Sequence, residues 1–527
     1  MGIHGRDRRA GNDMDLGSSL SIANSGLSAI DYELAVTSQN VSNSGTSGYV
    51  SETANVSSAV AGNSGTGVRV AATTLNVNTA LQTALYNQNA QVASYTATSN
   101  SLAAVSALQG STSADSGSTD TLSDLIGNVQ SALTTLTSTP LDSSAQASVI
   151  SSAQSLTSSI NTLSTTYTQQ RQSAEDNVVS TVSTINSDLT NIGALSKQIM
   201  SLKASGADTA DLENQRLGIM TDLSSELSVT FSETSNGDMV VRTADGTELP
   251  TRPDQMGQSD TSVTLPSSTW PLSTSDMSLT TADYYSAGDS SSQIPGITLG
   301  GKDITSHLTG GTLGANITLR DVTYPQMQAQ LDSLSSTLAT RFNSAGLELF
   351  TDGTGNLPSS NTTQETPAGI VGLSSTLSVN STYVDTPSKL TTDSSTGTTG
   401  DITAITNVLS TAFGTSTDDV SGSLEAPSAD LGPTGSLSTG YSGTQGLVAL
   451  ATSLTSNQAS TISQATDGLT SATSVQTTLQ TSVSNVSGVN VDNEMSKIVS
   501  LQNAYTANAK VITAVQSMFT ALLDAID

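Results

Sequence analysis

Apolar positions along the 527-residue chain follow two different rhythms. Toward both ends they recur at three- and four-residue spacing, the period of a helix with one buried face. That pattern predicts helices over about 16–42, 76–110, 119–138, 142–204, 208–226, 321–347, 443–486 and 491–526. In between, Leu227, Val229 and Phe231 alternate with polar residues, and Asn236-Gly237 and Asp245-Gly246 supply turns on either side of Met239-Val240-Val241. Alternation bounded by such dipeptides predicts a hairpin. Ile297 and Leu299, followed by Gly310-Gly311, continue the β character, and from about 351 to 439 Ser, Thr, Gly and Asp dominate a loop-like stretch with one short helix near Ile402–Leu409. Proline divides the chain the same way: one of the 12 is Pro140 and the other 11 lie between Pro250 and Pro433. Interior proline costs a helix roughly 3 kcal/mol, so the flanks are free to run as long helices. Asp142 just after Pro140 is a natural N-cap for the longest of them.

The two ends carry a narrower pattern. Ile498, Tyr505, Ile512, Phe519 and Ile526 recur every seven residues, with Leu501, Asn508, Val515 and Leu522 on the adjoining row. Only Asn508 among these nine is polar, so the stripe is an a/d seam of about four heptads. Near the other end Leu20, Leu27, Leu34 and Val41 are spaced by seven, with Ala23 and Ile30 beside them. Most amphipathic helices pack on their own domain's core, but chain ends are where order is weakest, and a narrow stripe suits a helix partner. Eight large side chains at ~1.5–3 kcal/mol each exceed about 10 kcal/mol of burial before ordering costs. The ends are therefore expected to pair with each other, with neighbouring subunits, or both, and Asn508 to fix the register.

Composition narrows the function. Only 35% of the residues are apolar and 3% aromatic, which suits long helices side by side better than one thick core. Against 45 acidic residues stand 16 Lys and Arg, for a net charge of -29. Such a surface repels phosphate backbones and anionic lipid, so nucleic acid and membrane are poor partners. Zero cysteines exclude disulfides and thiolate chemistry, and two histidines, His4 and His307, leave little for acid–base or metal work. No phosphate loop is present; Gly440-Tyr441-Ser442-Gly443 and Asp352-Gly353-Thr354-Gly355-Asn356 read as turns, and Trp270 as an anchor of the β-rich part. No catalytic, cofactor or metal site is expected. Met1 to Asp13 reads as a loose tail without the apolar stretch of a cleavable signal.

The flanks of the terminal stripes resemble the axial proteins of the bacterial flagellum. Ser25-Gly26-Leu27-Ser28-Ala29, Asn40-Val41-Ser42-Asn43 and Thr46-Ser47-Gly48-Tyr49 look like the N-terminal signature of rod, hook and junction proteins. Ser487-Gly488-Val489-Asn490-Val491-Asp492, leading to Gln502, Tyr505 and Asn508-Ala509-Lys510-Val511-Ile512, is similar to their C-terminal one. Asp211–Arg216, Asp222–Leu227 and Gly310-Gly311-Thr312-Leu313 are similar to the helical-to-β transition of the FlgK family, hook-associated protein 1. The resemblance covers about 14–350 and 443–527. It implies a multidomain, mainly α protein with a β-rich inserted domain and paired terminal helices as a coiled-coil-like inner layer. The expected divisions are a tail (1–15), a terminal assembly domain (16–50 and 490–527), a helical middle domain (51–226, 321–350 and 443–489), a β-rich domain (227–320) and a loop-rich insertion (351–442). It further implies a non-enzymatic, exported subunit at the hook–filament junction, partnered by its own copies, hook protein, hook-associated protein 3 and an export chaperone at the C-terminal helix. Hook protein or hook-associated protein 3 is the alternative within this class, and a Ser/Thr-rich extracellular adhesin or binding module the alternative outside it.

Overall fold

The computed structural model describes residues 16–46, 48–61, 64–109, 120–259, 263–289, 291–413 and 424–524. Eleven helices and ten strands occur among them, beginning with α1 (Leu16–Asn43) and a two-stranded ribbon, β1 (Glu52–Ala61) and β2 (Ser64–Leu75). Then come α2 (Thr79–Leu108), α3 (Leu122–Ser138), α4 (Ser143–Ser205) and α5 (Ala210–Glu226). The β-rich part holds β3 (Val229–Glu233), β4 (Met239–Thr243), β5 (Glu248–Leu249), β6 (Leu272–Ser273), β7 (Thr298–Leu299) and β8 (Lys302–Asp303). After it run α6 (Gly311–Thr318), α7 (Tyr324–Ser344), β9 (Phe350–Thr351), β10 (Ser378–Val379), α8 (Ser381–Asp385), α9 (Thr403–Asn407), α10 (Leu447–Ser487) and α11 (Val491–Asp524).

Helix α4 is the spine. It runs 63 residues, about 95 Å at the usual rise. Asp142 caps its start by accepting from the amides of Ser144 and Ala145, and Gly206, at φ 71°, closes its end in the left-handed conformation. One half of its buried face, from Val149 to Ala174, packs with α3, α7, α10 and the end of α2. The other half, from Val178 to Ile192, packs with α5 and the two small β-sheets. The helix thus carries two apolar cores in series.

Between these cores lies a polar knot. Arg320 and Glu175 are fully buried and pair at 2.6 Å, while Arg320 also grips Asp321 at 2.8 Å. Arg171 spans to the carbonyls of Arg320, Thr280 and Asp283. Burial raises the pKa of Glu175 while Arg320 opposes the rise. The knot sits on a π turn at 319–323 that joins α6 to α7. Pro325 explains the wide turn, since it brings no N–H and its ring crowds the preceding turn.

Helix bounds agree with the sequence pattern to within a few residues, and the β3–β4 hairpin forms as expected in register Val229↔Thr243. Two elements differ. Residues 52–75 form an antiparallel ribbon that the sequence did not announce, because most of β1 is exposed and shows no apolar alternation. Gly310-Gly311 does not continue the β character but starts α6. At Gly311 (φ +61°) a Cβ would lie 2.5 Å from the backbone of Glu226 and Leu227, so glycine lets α6 begin against the end of α5.

The insertion after β9 closes one end of the spine. Its Leu377, Leu390, Ile405, Val408 and Phe413 join the first core, and Phe342 meets Phe350 and Phe413 edge-on. Arg341, wholly buried, ties it down: its guanidinium donates to the carbonyls of Leu424, Ala412, Gln445 and Gly443. Burial pulls its pKa down to about 10. Replacing it takes this donor from the carbonyls of Leu424, Ala412 and Gln445, each worth ~1 kcal/mol or more, while Gly443 keeps the Ala426 amide. Arg341→Met is expected to lower the denaturation midpoint by ~3 kcal/mol equivalent and to expose the 424–445 loop to protease; an unchanged midpoint contradicts the clasp.

A second expectation concerns pH. Asp188 of α4 lies near Asp222 and Glu226 of α5, and burial, then these two charges, push its carboxyl up to about 7. Its raised value favours the protonated folded form, so its contribution to stability is complete below the ordinary Asp value near 4 and lost as pH rises through about 7. Thermal unfolding across pH should show Asp188→Asn gaining on the parent between about pH 4 and 7; parallel profiles there would rule this out.

Candidate assembly interface

Helices α1 and α11 pack against each other. The Ser51 amide donates to the Ser487 carbonyl (2.8 Å) where the two chain segments meet, while farther along Gly26 faces Asn508. Since α1 runs toward that meeting point and α11 away from it, the pair is antiparallel. A Cβ at Gly26 would sit 3.3 Å from Asn508 Nδ2. The lone polar residue of the seam therefore packs into the space that a glycine leaves open.

The seam divides into two rows with different fates. Leu501 and Val515, at 8% and 4% exposure, are covered, and half-buried Asn508 lies between them. On α1 the covered side chains are Ala23, Ala29, Ile30 and Val36. The adjoining row is open: Tyr505 and Phe519 stand at 40% and 36%, and Ile498 and Ile512 are half-buried. Leu20, Leu27, Leu34 and Val41 are likewise half-buried. Counting outward from Gly26 opposite Asn508, Phe519 lies past Leu16, where the description of α1 begins. Leu522 is in α11, its side chain outside the described residues, and Ile526 lies outside them altogether. Met495, Val499, Val511 and Met518 add to the exposed apolar surface. One partner for the stripe is thus α1 of the same chain, and a second apolar row is left over.

Several residues that hold this unit together are silent in a periodicity reading. Asn40, fully buried, pairs with the Glu52 backbone as a strand would, donating to its carbonyl (2.8 Å) and accepting from its amide (2.9 Å). Tyr49 donates to the same Asn40 oxygen. This joint turns the chain from α1 into β1, and it gives Asn40 and Tyr49 of the N-terminal motif a physical role. Ser25 donates to the Ile22 carbonyl and accepts from the Val68 amide, seating the ribbon on α1. Gly67, at φ +129°, has Ser25 Oγ 2.2 Å from where a Cβ would stand. Only the recurrence of these residue types in a motif, not their polarity, could have marked them.

No helix among the described residues is long and apolar enough to cross a membrane, and no cluster of potential metal ligands occurs among them. His307 lies at the surface paired with Asp245, and the Asp352 carboxylate is taken up by the amides of Thr354 and Asn356 in its own turn. Trp270 is buried and donates to Gln258 (3.2 Å). For the joint, Asn40→Ala is expected to cost about 1–3 kcal/mol locally, seen as faster hydrogen exchange at the Glu52 amide with the α4 amides unchanged. Equal exchange in parent and variant would show that Asn40 does not hold the turn.

Comparison with known proteins gives two family matches. Residues 111–355 match the flagellar hook-associated protein FlgK helical domain, and residues 480–525 match the flagellar basal body rod FlgEFG protein C-terminal region. The solved flagellar hook junction protein FlgK from Burkholderia pseudomallei aligns at 25% identity and a TM-score of 0.39, over 52% of this chain and 45% of that one. The alignment therefore spans less than half of that relative. No curated protein sequence matches. With the helical-domain match on the spine and the rod-type C-terminal match on α11, the chain is similar to the FlgK family of flagellar hook-associated proteins over residues 111–355 and to flagellar rod proteins over residues 480–525.

Proposed function

We propose that the chain is a structural subunit of the bacterial flagellum that joins hook to filament, assembling through its terminal unit. The observation that carries this reading is the second apolar row on α11, left open after α1 has taken the first. None of the described residues covers Tyr505, Val511, Met518 and Phe519, an exposed apolar surface of the kind that another molecule buries. The body between the ends has its own two cores and does not need that row for stability. In this role the subunit works by packing and catalyses nothing. Its partners are copies of itself, hook protein on one side and hook-associated protein 3 on the other. Before assembly the open row requires cover, which fits an export chaperone at the C-terminal helix and passage through the flagellar type III apparatus to the outside.

A second reading keeps the class and moves the position. The C-terminal match is to a region named for rod and hook proteins, so α11 suits other places along the axis. A deletion strain separates the two: a junction subunit leaves an intact hook, no filament and flagellin released into the medium. A strain that still builds filaments overturns the junction assignment.

Phe519→Asp and Ile512→Asp test the row itself. Phe519 is exposed, so Phe519→Asp is expected to leave the unfolding midpoint within ~0.5 kcal/mol of the parent while abolishing incorporation into flagella. Normal incorporation of either variant would remove the open row from the interface.

A further inference from the structure

Where the ribbon of the terminal unit (α1, β1, β2 and α11) meets the body, the chain leaves a crevice of about 570 Å³. Close-packed interiors hold few voids much larger than a water molecule, and a space of this size falls in the range of small-ligand clefts. Its far wall is residues 72–77 at the end of β2, tied down by the Thr73 hydroxyl donating to Asp208 (2.5 Å). Everything else belongs to the body: the first turns of α2, the end of α4, then α5 and the paired strands β3 and β4.

Three features of the body side limit what fits there. The floor is apolar and adaptable, with Leu217 and Met220 of α5 beside Phe231 and Met239 of the hairpin. Two methionine sulfurs and the rings of Phe231 and Tyr86 favour an aromatic body over an aliphatic one. The rim carries two cations and two carboxylates that cancel: Lys203 pairs with Glu213 (3.1 Å) and Glu233 (2.6 Å), and Arg216 with Glu233 (2.9 Å). A charged occupant would lose its hydration there and find no free counter-charge. Third, Tyr86 lines the crevice at 4% exposure, edge-on to Phe231, its hydroxyl buried and without a hydrogen-bond partner. Gln82 and Thr221 approach that hydroxyl, but neither closes a hydrogen bond to it. Burial pushes its pKa up to about 12, so it stays a neutral donor. An unmet buried hydroxyl is costly, and beside a crevice it marks where the polar atom of a ligand belongs.

We propose that this crevice binds a small, uncharged ligand with an aromatic body and one polar group. The aromatic body lies on Leu217, Met220, Phe231 and Met239, and the polar group meets the Tyr86 hydroxyl past the side chain of Gln82. Recognition comes from the body of the subunit, and the 72–77 wall only closes over it. The site is separate from the apolar row of α11, so it stands whether or not that row is an interface.

The test is calorimetric titration of the full-length chain with naphthol, a two-ring aromatic alcohol. Naphthalene, which lacks the hydroxyl, and naphthoate, which adds a charge, are titrated alongside. Naphthol is expected to bind saturably at one site per chain, and naphthoate at least tenfold more weakly. Tyr86→Phe should weaken naphthol by about tenfold, the scale of one hydrogen bond, while naphthalene binding and the unfolding midpoint stay as in the parent. Leu217→Trp, which builds a ring into the crevice, should abolish binding of both. The proposal is overturned if naphthol does not saturate, if naphthoate binds as tightly, if Tyr86→Phe treats naphthol and naphthalene alike, or if Leu217→Trp keeps full affinity. Should Leu217→Trp lower the midpoint, the Tyr86→Phe comparison decides alone.

Discussion

The whole molecule hangs on the continuity of one helix. Helix α4 runs uninterrupted from the Asp142 cap to Gly206, and both apolar cores are laid out along its buried face. A break near its middle would separate the two cores, because at that point they are joined by the Arg171–Glu175–Arg320 knot rather than by apolar packing. A buried ion pair of this kind contributes little net stability over a hydrophobic replacement, yet losing one partner strands the other. Its value here is geometric, since it fixes the angle at which α6 and α7 leave the spine. With only 35% apolar residues, a long rod with thin serial cores is the shape the composition can support.

From that rod the terminal unit is set apart by the chemistry of its contacts. The body is held by burial, which is non-directional and strong in aggregate. The unit is held to the body by hydrogen bonds from the start of α5 and where the two chain crossings meet. Inside the unit, burial returns as α1 covers half of the α11 stripe. This partition fits the proposed assembling subunit, with the body built on its own two cores and the open apolar row confined to the terminal unit. The family matches and the open apolar row point the same way and rest largely on different residues.

Much of this was legible in the residues. Long helices were, because proline is absent between Pro140 and Pro250 and apolar spacing is regular there. The β3–β4 hairpin was, because Asn236-Gly237 sits between two alternating runs. The heptad rows located the terminal pairing but not its division into covered and open halves, which depends on the antiparallel partner and its length. The ribbon at 52–75 escaped because its sparse valines, such as Val56 and Val60, face water. Buried arginines escaped for a similar reason: Arg171, Arg216, Arg320 and Arg341 read as surface charges until the carbonyls and carboxylates around them are seen. Asn40 and Asp208 act across 12 and more than 100 residues of sequence, beyond the reach of any local pattern.

The proposed assembly rests on the apolar row of α11 being completed by another subunit. Hydrogen exchange of the full-length chain, free and then assembled, reads this directly. Residues 495–524 are expected to exchange much faster than α4 in the free chain and to slow by at least tenfold on assembly, with α4 unchanged. Exchange across 495–524 that is already as slow as in α4, and indifferent to assembly, would contradict it.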